Sequence, residues 1–199
     1  MRVIGLLGGV ASGKTLVARQ LAELGAGLLE ADRAGHEVLQ SPKIVTAARQ
    51  RWGSQIFGTD NQIDRARLAK IVFAKSPEAQ REREYLEGLT HPEIRRLLLD
   101  QLAHLADDAC TVAVLDAPLL LEAGWDKFCN ALIMVDSPRQ LRLGRALSRG
   151  WTEENFAARE AAQESLEVKR GRADVVVDNS GSPEQTRSQV ERFWHSLIG

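Results

Sequence analysis

The octapeptide Gly8-Gly9-Val10-Ala11-Ser12-Gly13-Lys14-Thr15 constrains this chain more than any other stretch. It has the form G-x-x-x-x-G-K-[ST], the phosphate-binding P-loop. Such a loop works only between a buried strand and a helix, and the flanks supply both. Residues 3–7 form a short apolar run, and residues 15–24 carry Leu16, Val17, Leu21 and Leu24 at helical spacing. Glycines let backbone N–H groups converge on phosphate oxygens, and the helix N-terminus adds unpaired donors and partial positive charge. Gly9, Val10, Ala11, Ser12, Gly13, Lys14, Thr15 and Leu16 are therefore candidate phosphate-binding residues. Lys14 is placed to reach the β- and γ-phosphates and Thr15 to ligate Mg²⁺.

The other apolar runs, residues 27–30, 111–116, 131–136 and 174–178, are mostly continuous rather than alternating, as in parallel strands covered on both faces. Helical stretches separate them. The expectation is an α/β fold: a five-stranded parallel sheet flanked by helices, in one domain over residues 1–199 with core segments 1–35, 110–138 and 173–199. Residues 36–109 contain no convincing strand and predict a helical insertion beyond the carboxyl edge of the sheet, where a second substrate could bind. Its last helix runs from Pro77 toward Leu105, with a break expected at His91-Pro92. Residues 139–172 are helical and arginine-rich, with the make-up of a lid. Ser41-Pro42, Ser76-Pro77, Ser137-Pro138 and Ser182-Pro183 read as helix starts, with Gln140 and Gln185 completing capping boxes.

Phosphoryl transfer needs a carboxylate to orient or deprotonate the acceptor hydroxyl. Asp32 follows the second strand, although it is equally suited to cap a helix over residues 33–39. Asp116 ends the third strand and is a candidate partner for Mg²⁺, against a turn-forming role before Ala117-Pro118. Arg145 and Arg149, four apart, are expected on one helix face. The alternative for the arginines is a solvated surface paired with Glu153, Glu154, Glu160 and Glu164. His91 alone reads as structural, since no metal-ligand spacing surrounds it.

A formal net charge of -1 gives no global pull toward nucleic acid or an anionic membrane. No stretch has the length of a membrane span and no leader is evident, so the expected location is the cytoplasm. Cys110 and Cys129 lack C-x-x-C spacing and read as two small buried thiols.

Over nearly its whole length the chain resembles the dephospho-CoA kinases. The resemblance lies in Ile4-Gly5-Leu6 leading into the P-loop, in Ala31-Asp32, in His91-Pro92 with Ile94, and in Asp116-Ala117-Pro118-Leu119-Leu120-Leu121-Glu122. It continues in Val135-Asp136, in Arg145 and Arg149, in Arg159 with Gln163 and Lys169, and in Ala173-Asp174 through Asp178-Asn179-Ser180-Gly181. The resemblance implies a P-loop kinase fold and transfer of the ATP γ-phosphate to the 3′-hydroxyl of dephospho-CoA, the last step of coenzyme A synthesis, with Mg²⁺. It implies Asp32 as the base, Lys14 with the lid arginines Arg145 and Arg149 around the transferred phosphate, and Thr15 with Asp116 at the metal. It implies Asn179 and Gly181 near adenine, and Asp32, His91, Leu119 and Arg159 on the acceptor side. It gives a small-molecule substrate, no nucleic-acid or membrane partner, and a monomer or weak homo-oligomer. The chain departs from the family pattern at Glu30, where the first aspartate of Asp-Ala-Asp usually stands, at Gly150-Trp151, and at Ala11 in place of glycine. Ala11 is expected to take backbone angles open to an L-residue. The competing readings are another P-loop kinase acting on a nucleotide or nucleoside, a regulatory GTPase switch, for which no Asn/Thr-Lys-x-Asp motif exists, and a nucleic-acid-remodelling ATPase.

Overall fold

The continuous apolar runs form a parallel sheet because helices cover both of its faces. In the computed structural model, which describes residues 1–74 and 76–198, the strands are β1 (Arg2–Gly8), β2 (Gly27–Glu30), β3 (Val112–Asp116), β4 (Ala131–Asp136) and β5 (Val175–Asp178). They lie in the order β2-β3-β1-β4-β5, every pairing parallel. On one face α1 (Lys14–Glu23) and α9 (Pro183–Ile198) bury Val17, Leu21, Val190, Phe193 and Trp194 against Ile4, Leu6, Val114, Ile133, Val135 and Val177. Each such side chain removed from water contributes roughly 1.5–3 kcal/mol. On β1, Gly5 is pressed between neighbours: a Cβ there would stand 2.7 Å from both the Cys129 sulfur and Leu132.

Parallel strands deliver all their carboxyl ends to one edge, and here that edge is acidic. β1 ends in Gly8, but β2, β3, β4 and β5 end in Glu30, Asp116, Asp136 and Asp178, with Glu30 opposite Asp116 and Asp136 opposite Asp178.

The described chain divides into two compact units. One, residues 1–30 and 101–199, contains the sheet, α1, α6 (Arg139–Ser148), α7 (Glu153–Ala161), α8 (Leu166–Arg172) and α9. The other, residues 31–100, is helical: α2 (Ala31–Val38), α3 (Pro42–Trp52), α4 (Arg65–Val72) and most of α5 (Pro77–Asp107), whose last turns belong to the first unit. The helical unit has its own core of Ala48, Trp52, Ile56, Phe57, Leu68 and Val72. Glu82 ties α5 to α3 by accepting from Arg51 at 2.9 and 2.7 Å and from the Trp52 indole at 2.8 Å. The Arg51 guanidinium bonded to it holds the Glu82 carboxyl below its ordinary range against the cost of desolvation.

Three of the four serine-proline starts cap as expected. Ser41 Oγ accepts from Ile44 N–H, Ser76 Oγ from Ala79 N–H, and Ser182 with Gln185 forms the reciprocal box. Ser137 does not: its hydroxyl is spent elsewhere, and α6 has no side-chain cap bond. Asp32 is not a cap either. It lies in the first turn of α2, where a carboxylate favours the helix dipole. The expected break at His91-Pro92 does not occur, and α5 runs through it for 31 residues. Pro92 removes the donor for the carbonyl four residues back, at Gly88. The helix continues because both sides of the interruption are packed, with Ala79, Thr90, Ile94 and Leu98 buried. Replacing Pro92 by alanine restores that bond and is expected to raise the unfolding free energy by up to about 3 kcal/mol. Urea titration checks it; no gain would mean that the ring's own packing offsets the lost bond.

Candidate active site

The loop that leaves β1 is held from behind by its carbonyl groups. The Ser12 carbonyl accepts from the Ser137 hydroxyl at 3.1 Å, from Arg145 Nη1 at 3.1 Å and from the Asn179 amide Nδ2 at 2.7 Å. The Val10 carbonyl accepts from Arg142 Nη1 at 3.3 Å. The loop folds on itself through Ser12 N–H to the Gly9 carbonyl at 3.1 Å, and α1 starts with Leu16 and Val17 N–H on the Gly13 carbonyl. The N–H groups of Lys14 and Thr15, at the start of α1, have no intrahelical acceptor by position. The approach is close throughout. A Cβ on Gly13 would lie 2.0 Å from the Asn179 amide nitrogen, and one on Gly8 2.5 Å from the buried, unpartnered Ser12 hydroxyl.

Ala11 corrects an expectation. Its φ is 58°, in the left-handed region, where an L-residue costs roughly 1–2 kcal/mol. The two carbonyls flanking it, of Val10 and Ser12, are the ones tied back, which is how the strained conformation is held.

Asn179 is 3 % exposed, and its side chain is fully committed: Nδ2 to Ser12 and Oδ1 accepting from Thr186 at 2.9 Å. It braces the loop, and the exposed Ser180-Gly181 turn beyond it faces solvent. Asp178 closes that turn by accepting from Ser180 N–H at 2.8 Å, and the Ser180 hydrogen bonds hold its carboxyl below the ordinary range.

The arginines separate into distinct jobs. Arg145 is fixed at three points, adding the Ser137 hydroxyl at 3.0 Å and the Asn179 carbonyl at 2.7 Å to Ser12. Arg149 follows the last helical residue of α6 as its exposed C-cap. Arg139 and Arg142 both bind Glu160 of α7, at 2.9 and 2.7 Å. Burial alone would raise the Glu160 carboxyl, but the Arg142 and Arg139 guanidiniums hold it below its ordinary range. Arg170 pairs with Asp136 and Arg172 with Asp126, while exposed Arg159 lies over the Trp151 ring at 4.3 Å.

Lys169 is buried with its Nζ 3.0 Å from Gln163 Oε1 and 3.7 Å from Glu122. Burial pushes its pKa down and Glu122 opposes this, while the charge of Lys14 pushes it down further. Gln163 also donates to the Pro118 carbonyl at 3.2 Å, and Glu122 accepts from Glu164 N–H at 2.7 Å. The loop after β3 is thereby fastened to the segment leading into α8. Exposed Leu119 lies in that loop.

Of the four acids at the sheet edge, Asp136 is paired and Asp178 closes a turn. Glu30 and Asp116 line a small cavity with Thr15, Ala18 and Arg19. The Thr15 hydroxyl and Asp116 carboxylate are hard oxygen donors, which suit Mg²⁺, an ion held by one or two carboxylates together with substrate phosphates. Asp32 opens α2 two residues beyond Glu30, and His91 is half-buried on α5. Both belong to the helical unit. The cysteines are half-buried rather than buried, both free, and burial pushes the Cys129 thiol to about 12.

Three residues carry more of the site than their sequence context suggested. Ser137 read as a helix cap, Arg142 as one of many arginines, and Lys169 only as part of a motif. In α6 the structure inverts the usual pattern: Leu141 and Leu147 are 42 % and 49 % exposed while Arg142 is 2 % exposed.

Comparison with known proteins agrees with this geometry. The family model described as dephospho-CoA kinase matches residues 2–185. A protein from Syntrophotalea carbinolica named dephospho-CoA kinase is 39% identical, covering 100% of this chain and 93% of its own. A crystal structure of a Thermus thermophilus protein superposes with a TM-score of 0.87 at 29% identity, over 100% of this chain and 98% of that one. Dephospho-CoA kinase from Campylobacter jejuni, 23% identical over 98% of this chain and 97% of its own, superposes with a TM-score of 0.66 and shares the fold, that of the P-loop kinases.

Replacing Ala11 by glycine removes the left-handed strain but adds unfolded-chain entropy worth about 0.4–1 kcal/mol. The expected net result is a stabilisation of up to about 1.5 kcal/mol, read as a higher urea midpoint. A lower midpoint would mean that the methyl's contact with the Val10, Ala146 and Phe156 cluster outweighs the strain.

Proposed function

The chain belongs to the dephospho-CoA kinase family, and we propose that its residues divide the phosphorylation of the dephospho-CoA 3′-hydroxyl by ATP as follows. The loop Gly9 to Leu16, through the backbone N–H groups not used within it, and the Lys14 ammonium hold the ATP phosphates. Thr15 and Asp116 would hold Mg²⁺, which would supply charge neutralisation for the transfer. Asp32 accepts the proton of the 3′-hydroxyl as its oxygen bonds to the γ-phosphorus, and the bond from that phosphorus to the β-γ bridging oxygen breaks to release ADP. Arg149, exposed at the end of α6, covers the transferred phosphoryl, and Arg145 contributes its charge from behind the loop. The acceptor contacts proposed are Asp32, His91, Leu119 and Arg159. The Ser180-Gly181 turn borders the adenine.

The observation that carries this reading is the family match over residues 2–185, which takes in the P-loop and each of these positions. A cytoplasmic monomer or weak homo-oligomer is the state proposed. It is supported by two free cysteines and by the finding that no helix among the described residues is long and apolar enough to cross a membrane.

Incubation with Mg-ATP and separate acceptors, followed by mass spectrometry, tests the substrate. Coenzyme A is expected from dephospho-CoA. Turnover of a nucleoside or nucleotide instead would establish the competing kinase reading. Asp32→Asn is expected to bind ATP normally and to lose turnover by roughly 10²–10⁴-fold, the usual contribution of a general base. An unchanged kcat would assign the carboxylate to the α2 dipole alone.

A further inference from the structure

We propose that Arg142 is a positioning residue for ATP, acting through the Val10–Ala11 peptide and held in place by Glu160 of α7. The inference rests on the kinase reading but concerns how the loop is prepared for phosphate.

In a planar trans peptide the carbonyl of one residue and the N–H of the next point in opposite directions. Arg142 Nη1 draws the Val10 carbonyl to the rear of the loop at 3.3 Å. The Ala11 N–H must then project to the front. The Ser12 carbonyl, drawn back by its own three donors, projects the Gly13 N–H in the same way. The first of these fixed peptides leads into Ala11 and the second leaves Ser12, and the Ala11 φ of 58° opposes the arrangement. Without the pull on Val10, alanine gains by rotating toward negative φ, and that rotation turns its N–H away.

Arg142 is shaped for this work. It is 2 % exposed, so its charge is costly unless every donor is used. Nε donates to the Ser137 carbonyl at 3.1 Å, Nη1 to Val10, and Nη2 meets Glu160 at 2.7 Å. The guanidinium carbon lies 5.6 Å from the Phe156 ring centroid, and a Cβ on Gly9 would stand 2.8 Å from Nη1. Val10 itself packs with Ala146 and Phe156, and Ala11 with the same cluster. Val10 and Ala11 are therefore joined to α7 twice, by an apolar cluster and through the Arg142–Glu160 ion pair. The setting of the Ala11 N–H depends on where α7 sits.

The test measures Mg-ATP binding to the whole protein by calorimetry, with ATP KM and kcat alongside and a thermal melt to verify folding. Arg142→Met is expected to weaken ATP binding about tenfold or more, the scale of one hydrogen bond from a charged donor. KM is expected to rise with kcat changed far less. In an Ala11→Gly background, where the left-handed conformation carries no penalty, the same substitution is expected to cost under about threefold. Glu160→Gln, which keeps an acceptor for Arg142, is expected to give an intermediate loss of affinity. A folded Arg142→Met that binds ATP like the parent, or that loses equally in both backgrounds, overturns the proposal. If Arg142→Met does not fold, the decision passes to Glu160→Gln, and unchanged affinity there overturns it. Failure of the unsubstituted protein to bind Mg-ATP would instead overturn the kinase reading.

Discussion

One carbonyl oxygen, that of Ser12, organises the donor end of this protein. Three donors from three places converge on it: a hydroxyl after β4, a guanidinium from α6 and an amide after β5. None of these groups need touch nucleotide to matter. By fixing which way a peptide faces, they decide which N–H groups remain for phosphate. Hydrogen bonds from charged donors are the strong ones, and in a site shielded from water they hold geometry that glycine-rich backbone alone would not keep. The P-loop motif names the front of this arrangement and is silent on its back.

That silence explains the composition of α6. A helix packed against side chains buries leucine, but this one is packed against the carbonyl-rich rear of a loop. It therefore buries Arg142 and half-buries Arg145, and leaves Leu141 and Leu147 in solvent. The inversion breaks the amphipathic rule because the surface it faces is polar and acceptor-rich. Such a charge survives burial only with a counter-ion, which is why α7 delivers Glu160.

The fold was largely legible from the residues. All five strands follow from continuous apolar runs, with ends within a residue or so of those observed, because a parallel sheet buried on both faces leaves little ambiguity. Helix starts were legible wherever serine-proline did the capping. Failures came where tertiary contacts overrode local preference. Pro92 reads as a break, yet packing on both sides carries α5 through it. Ser137 reads as a cap, yet its hydroxyl is worth more on Ser12 and Asn179. Ala11 was expected in ordinary backbone angles, since the pull on its flanking carbonyls comes from residues more than a hundred positions away. The strand, loop and helix around Lys14 and Thr15 were legible because those elements are contiguous in sequence. Arg142 and the bracing role of Asn179 were not, because no local spacing encodes a contact made only after the sheet has closed.

The spans of these contacts bear on when the loop takes shape. Ser12 is bound to partners 125, 133 and 167 residues further along. Local contacts form cheaply, while contacts of this separation wait until much of the chain has been ordered. In N-to-C synthesis the P-loop sequence is made well before the last brace on it, Asn179, which lies 167 residues further along. The nascent chain thus carries its most recognisable phosphate-binding sequence long before that sequence has the shape to bind.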